Sequence, residues 1–497
     1  MPASAGSRLR PLRLAAGLLW AWFAGCASLR PETRPVEPLD PALLQRVPLP
    51  TPAESLFVPE PTPPEPQTLT PAEAVAFALK HNPRLAAARA EVDRAGANVD
   101  AAGSPLLPHV NLLSRYIITS ASQGAGAPGL TGVVLSKKTV GVNSFVQSEL
   151  ELQWTLIDFG RTAGRVGEAA ARERAETARL RRSEQSVGLD AVTAYLSVLL
   201  AQADERTQRN ALRWAEIFLA DARVRRKAGT ADRNDDLRAE VLVASEQDRL
   251  AEARRQVANA AAELNNALGR NPGLPVRVAP LSELPPLERP LAECLEIAAR
   301  QRPEVAISRD NLAAAVAARE AKVGAFRPRI YAMASGGVVE GENVVTGLMG
   351  GSGIHFNVPL YEGGLRRSEL HAAEAAIAVA GADAKRVFDD VALQVHLAYQ
   401  DATTAAERSK LARPAVDQAR EYLRLTLVKY KNGTATPADI ADAEATATRA
   451  EDRYHSAAYE YLAALARLGY ATGEGPEVFL PPAEAAPEPL PAPQELK

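Results

Sequence analysis

The strongest constraint on this chain is the stretch from Glu149 to Ala228. It opens with strict alternation, Leu150, Leu152, Trp154 and Leu156 on one face and Glu149, Glu151, Gln153 and Thr155 on the other. That is the period-two pattern of a strand with one apolar side. After a short turn at Asp158 to Arg161 the period changes. From Thr162 to Ala228 there is no proline, and glycine occurs only at Gly164, Gly167 and Gly188. The simplest reading is one helix of roughly 100 Å at 1.5 Å per residue, several times the usual length. A strand apolar outside and polar inside, leading into so long a helix, predicts a membrane barrel continued by a helical tube.

The joint occurs twice. Asn82-Pro83-Arg84-Leu85-Ala86 recurs as Arg302-Pro303-Glu304-Val305-Ala306, Pro108 as Pro328, Leu156-Ile157-Asp158-Phe159-Gly160 as Leu360-Tyr361-Glu362-Gly363-Gly364, and Gly229-Thr230-Ala231 as Gly433-Thr434-Ala435. The spacing differs only between the two strands of each copy, which marks an exposed loop tip there. In the second copy Ile354, Phe356, Val358 and Leu360 alternate with His355, Asn357 and Pro359. The fold class expected is therefore mainly α with a small β part, a duplicated strand, strand, long helix and return helix. Four strands cannot close a membrane barrel, which needs about eight or more, so several copies must share one. Leu250, Val257, Ala261, Leu264 and Leu268, with Tyr454, Tyr461, Leu465 and Leu468 in the second copy, give the return helices a narrow coiled-coil seam.

Upstream, Arg8, Arg10 and Arg13 precede an apolar run, Leu14 to Ala24, too short to span a bilayer. It ends at Phe23-Ala24-Gly25-Cys26, which resembles a bacterial lipobox. The resemblance implies cleavage after residue 25 and a lipid anchor on Cys26, and Ala27 in place of aspartate implies the outer membrane as destination. An ordinary secretory signal is the plainer reading. Residues 26–68 are a proline-dense tether, 69–290 and 291–475 are the two repeats, and 476–497 form a Pro/Ala-rich tail with no readable core. Within the first repeat, Thr70-Pro71-Ala72-Glu73 is a helix start with a capping box.

The formal net charge of -3 points neither to nucleic acid nor to an anionic surface. Two cysteines exclude a disulfide framework, and Cys294 reads as a small buried residue. Gly124-Ala125-Gly126-Ala127-Pro128-Gly129 matches GxGxxG in form, but Pro128 and the lack of a following helical pattern argue against a dinucleotide site. No HExxH or Cys/His spacing suggests a metal, and no triad of nucleophile, base and orienting group is near in sequence, so no enzyme, cofactor or metal is expected.

From Leu69 to Gly473 the order of these markers resembles the TolC family of outer-membrane efflux and secretion channels. The resemblance implies a homotrimer with a twelve-stranded barrel continued by a twelve-helix periplasmic tunnel. It implies an exit duct that conducts passively, coupled through a periplasmic adaptor to an inner-membrane pump of RND or ABC type. Asp439 and Asp442, three apart at a helix start, match the family's acidic aperture at the periplasmic end. Helix-start acids stabilised by the dipole are the bland reading. The tips Gly229, Thr230, Gly433 and Thr434 match the adaptor-contacting ends, although turn and capping needs explain the residue types equally. Asp235 and Asp236 occupy the first tip, but Arg238 stands where the second copy has Asp442. Pro414, where the first copy has Asn210, is expected to kink or break the second long helix. A structural periplasmic coiled-coil lipoprotein without a pore is the competing class, and it leaves the paired amphipathic strands unexplained.

Overall fold

The computed structural model describes residues 68–121, 141–229, 232–281, 284–341, 347–432 and 434–481. Cys26, Thr230, Gly433, the 124–129 glycine motif and most of the tail lie outside the described residues.

The order of elements is α1 (Pro71–His81), α2 (Pro83–Gly103), β1 (His109–Ala121), β2 (Gly141–Ile157), α3 (Arg161–Lys227), α4 (Arg233–Ala267), α5 (Leu291–Gln301), α6 (Pro303–Ala325), β3 (Arg329–Gly341), β4 (Gly347–Asn357), α7 (Leu365–Lys431) and α8 (Pro437–Thr472). The local signals act where expected. Thr70 caps α1 in a reciprocal capping box with Glu73, and Asn82 ends α1 while its side chain caps α2.

The four strands form one antiparallel meander in the order β1, β2, β3, β4, so β2 and β3 join the two repeats and β1 and β4 are its edges. One face carries Leu112, Leu348, Ile354 and Phe356, each 66–76% exposed. The other carries Arg115, Glu149, Glu151 and Gln153, with Arg115 3.6 Å from Glu149. Large apolar side chains facing solvent, with most of the sheet's charges on a mixed opposite face, are the inverse of a soluble sheet, as a barrel wall in lipid requires. Trp154 Nε1 donates to the Leu106 carbonyl at 3.0 Å, pinning the sheet to the turn below α2. A bulge between Thr155 and Ile157 interrupts the alternation just before the joint. β4 stops at Asn357, so Val358 and Leu360 are not strand residues as the alternation suggested; Pro359 has no N–H for the ladder.

At each joint the chain turns through two left-handed residues, Phe159 and Gly160 in the first and Gly363 and Gly364 in the second. Asp158 is buried there and accepts from the backbone N–H of Gly160 at 3.2 Å and Thr162 at 2.7 Å, capping α3. Both long helices have 67 residues. α3 packs against α1, α2, α4, α6 and α8, whereas α7 packs against α5, α6 and α8. Pro414 lies inside α7, which continues through it, so of the expected kink or break the break does not occur. Proline removes one N–H bond to the carbonyl four residues earlier, and α8 holds the helix on both sides of that gap, Glu460 pairing with Arg408 at 2.7 Å and Glu451 with Arg420 at 2.8 Å.

The core is broader than a coiled-coil seam. Around the middle of α3, Val192, Tyr195, Leu196 and Leu199 are buried against Ala74 and Ala78 of α1, Leu264 of α4 and Leu462 of α8. A second cluster joins Val391 and Val395 of α7 to Cys294 and Ala298 of α5 and Tyr461 and Leu465 of α8. Neighbouring residues of α8 thus serve both clusters. Tyr195 and Tyr461 donate their hydroxyls to the carbonyls of Ala279 (2.5 Å) and Pro285 (2.7 Å), so the segment between α4 and α5 is strapped across this belt.

Candidate functional site

The hairpin ends are built by capping chemistry. In the first, Gly229 adopts φ +73° after α3, and Asp232 caps α4 by accepting from Arg233 N–H at 2.6 Å. In the second, Thr434 donates from N and Oγ1 to the Lys429 carbonyl at 2.9 and 3.0 Å. Thr436 caps α8 in a capping box with Asp439, whose Oδ2 accepts from Thr436 N (2.7 Å) and Oγ1 (2.8 Å). These bonds, the backbone one first, hold the Asp439 carboxyl below its usual range, so it is ionised at neutral pH. Asp442 is exposed one turn further on. Both predicted acids therefore lie at the start of α8, and Asp439 also has a capping role.

The first hairpin differs. Asp236 is buried, with Arg226 at 3.4 Å and Arg223 at 3.8 Å, and Arg223 reaches Glu240 at 2.8 Å. Its acids fasten α4 to α3, while Arg238 is exposed where the second hairpin has Asp442.

Sequence reasoning missed a contact between the hairpins. Tyr430, near the end of α7, is buried with its ring 6.0 Å from Phe218 of α3, and the Arg225 guanidinium lies 4.1 Å from its centroid. Arg225 is held by Asp221 at 2.8 Å. Burial raises the Tyr430 hydroxyl pKa, and it stays neutral. The signal available was a tyrosine three residues before a tip glycine where the first copy has Arg226.

Deeper in the helices two carboxyls are displaced upward. Burial, followed by the charge of Glu246, lifts Glu444 to about 7. Burial, followed by Asp204, lifts Asp452 to about 6. Glu246 is itself fully buried, with one oxygen 2.9 Å from Arg249 and the other without a hydrogen-bond partner. Among the described residues no group of three His, Cys, Asp or Glu side chains is placed to hold a metal.

Residues 75–270 and 294–474, well over half of the chain, match the family described as outer membrane efflux protein. The chain belongs to that family. It is 26% identical to the outer membrane efflux protein BepC of Brucella suis biovar 1, covering 82% of this chain and 85% of BepC. It is 26% identical to the alkaline protease secretion protein AprF of Pseudomonas aeruginosa, covering 80% and 83%. The outer membrane channel CmeC of Campylobacter jejuni has the same fold, with a TM-score of 0.69 at 17% identity over 82% of this chain and 86% of CmeC. This member of the efflux-protein family is an outer-membrane channel component, and its duplicated sheet and helical hairpins are the family's architecture.

Proposed function

We propose that three copies form one exit duct across the outer membrane and periplasm, conducting cargo passively from an inner-membrane pump of RND or ABC type through a periplasmic adaptor. One observation carries the reading: a four-stranded sheet with two open edges, apolar toward lipid and polar behind, continued into helices of 67 residues. Such a sheet leaves two rows of backbone donors and acceptors unpaired in lipid, which edge-to-edge closure with further copies satisfies. The hairpin ends at Gly229, Thr230, Gly433 and Thr434 meet the adaptor. Cys26 carries the lipid anchor, and the chain itself performs no covalent chemistry. Asp439 and Asp442, repeated by symmetry, ring the periplasmic aperture with acid and favour cations there.

Single-channel conductance in planar bilayers tests this, comparing the native protein with Asp439→Ala plus Asp442→Ala. The expected result is a cation-selective pore whose selectivity falls in the double variant. Unchanged selectivity removes the aspartate ring and keeps the duct; well-folded oligomers that never conduct remove the duct in favour of a scaffold.

A further inference from the structure

Between the two hairpins, beside the Tyr430 contact, all four long and return helices line an open-sided cavity of about 230 Å³. Its walls are Phe218 of α3, Leu242 of α4, Leu427 and Tyr430 of α7 and Ile440 of α8, with Trp214 half-exposed at its rim. Two charged residues line it, Asp221 and Glu444, and both are acids. Asp221 is engaged by Arg225 at 2.8 Å. Glu444, only 7% exposed, accepts one long hydrogen bond among the described residues, from Thr448 Oγ1 at 3.3 Å, and the nearby cation Arg249 is already paired with Glu246. A buried carboxylate with so little compensation, in a cavity that three aromatic residues also line, is an environment that a cation on an apolar body would complete. The volume is at the small end for ligand sites, which limits the occupant to about one ring.

We propose that this cavity is a binding site for a small organic cation, an ammonium carried on an apolar body the size of one aromatic ring. The ammonium sits against Glu444 and the ring against Phe218, Leu427 and Ile440. A ligand there touches both hairpins at once and ties them together. The site is separate from the exposed aspartates at the α8 start and does not depend on whether the chain conducts.

The charged groups facing Glu444 decide how binding follows pH. α4 contributes Glu246, paired with Arg249. Across a neighbouring cleft α7 contributes Arg420, held by Glu451 at 2.8 Å, and Arg424, held by Glu421 at 2.7 Å. α3 contributes Asp221. Each of these cations already has an acid, so the ligand's competitor at Glu444 is the proton, and binding tightens as Glu444 ionises near neutral pH.

Calorimetry on the full-length protein in nanodiscs tests the proposal with benzylammonium and with benzyl alcohol, its neutral counterpart of similar size. At about pH 8 benzylammonium binds once per chain, about tenfold or more tighter than the alcohol, as expected for a charge-assisted contact. The preference disappears in Glu444→Gln, which keeps the side-chain shape, and Leu427→Trp blocks both probes. Affinity for benzylammonium falls several-fold at about pH 6, where the probe keeps its charge and Glu444 does not. Equal binding of the two probes, an unchanged preference in Glu444→Gln, or no saturable binding to the native protein overturns the proposal.

Discussion

The two long helices are equal in length and start from joints of the same design, yet over their middle turns they place their larger apolar residues differently. α3 buries Val192, Leu196 and Leu199 inside its own chain. The corresponding residues of α7 are His396, Gln400 and Thr403. α7 instead exposes Leu393 (56%), Leu397 (55%) and Leu411 (77%). After duplication, length and joints have stayed equivalent while the faces have diverged. α7 still buries Val391 and Val395 in the second cluster, but α3 supplies more of the protomer's interior, and on the trimer reading the exposed leucines of α7 supply a surface that a neighbouring copy covers, each leucine so buried contributing about 1.5–3 kcal/mol. A tube assembled from identical chains needs both kinds of helix.

The largest effect that separates the two helices is expected at Tyr195 and its counterpart Tyr399. Tyr195 has no exposed surface, and its hydroxyl donates to the Ala279 carbonyl. Tyr399 is half-buried beside the second cluster. Tyr195→Ala should cost about 3–5 kcal/mol, as for other buried aromatics, and Tyr399→Ala less than about half of that. Thermal unfolding of the purified protein gives both. Equal losses would mean that α7 is as enclosed as α3 and that the division of labour is wrong.

What the sequence disclosed and what it hid follows the distance over which each interaction acts. The α1 capping box, the strand alternation and the Asn82-Pro83 break involve residues within a turn of each other; the box and the break are present as read, and the alternation holds up to the bulge after Thr155 and the end of β4 at Asn357. Pro414 does not break α7, because the packing of α7 on α8 outweighs the loss of one backbone bond. The breadth of the core around Tyr195 was hidden because α1, α4 and α8 come to it from distant parts of the chain. The site shows the same division. Asp439 and Asp442 are legible from spacing at a helix start, although the bond from Asp439 to Thr436 adds a structural role. Tyr430 is marked only by its place three residues before the tip glycine and Glu444 by nothing local, since their partners Arg225, Phe218 and Glu246 are on other helices.

Glu444 and its counterpart Glu240 sharpen the comparison through pH. Glu240 is exposed and paired with Arg223, while Glu444 is buried and raised to about 7 from an ordinary 4.5. Between those values the folded chain holds a proton that the unfolded chain has released. Stability therefore falls as pH rises through this window and levels off above it, by an amount on the order of 3 kcal/mol per chain. Glu444→Gln should remove that part of the slope and leave the protein more stable at about pH 8. Glu240→Gln should leave the slope in place. Denaturation midpoints at several pH values measure it, and a slope that survives in Glu444→Gln would assign the pH dependence to other groups, Asp452 first among them.

The smallest predicted effect tests what the repeats have kept in common. Gly160 and Gly364 hold φ of +93° and +85° at the two strand-to-helix joints, and a Cβ built on either meets nothing within 4 Å. Replacement by alanine therefore meets no neighbour, and its cost is the left-handed backbone alone, about 1 kcal/mol at each site. Gly160→Ala and Gly364→Ala should lower the unfolding temperature by the same small amount, even though Asp158 caps the first joint and Glu362 at the second binds Arg366 at 2.7 Å instead. A markedly larger loss at Gly160 would mean that the Asp158 cap fails when the turn relaxes, and that the joints, like the faces of the helices, have parted since duplication. Equal losses would leave the joint as the conserved unit of the repeat, with the divergence confined to the sides of the long helices.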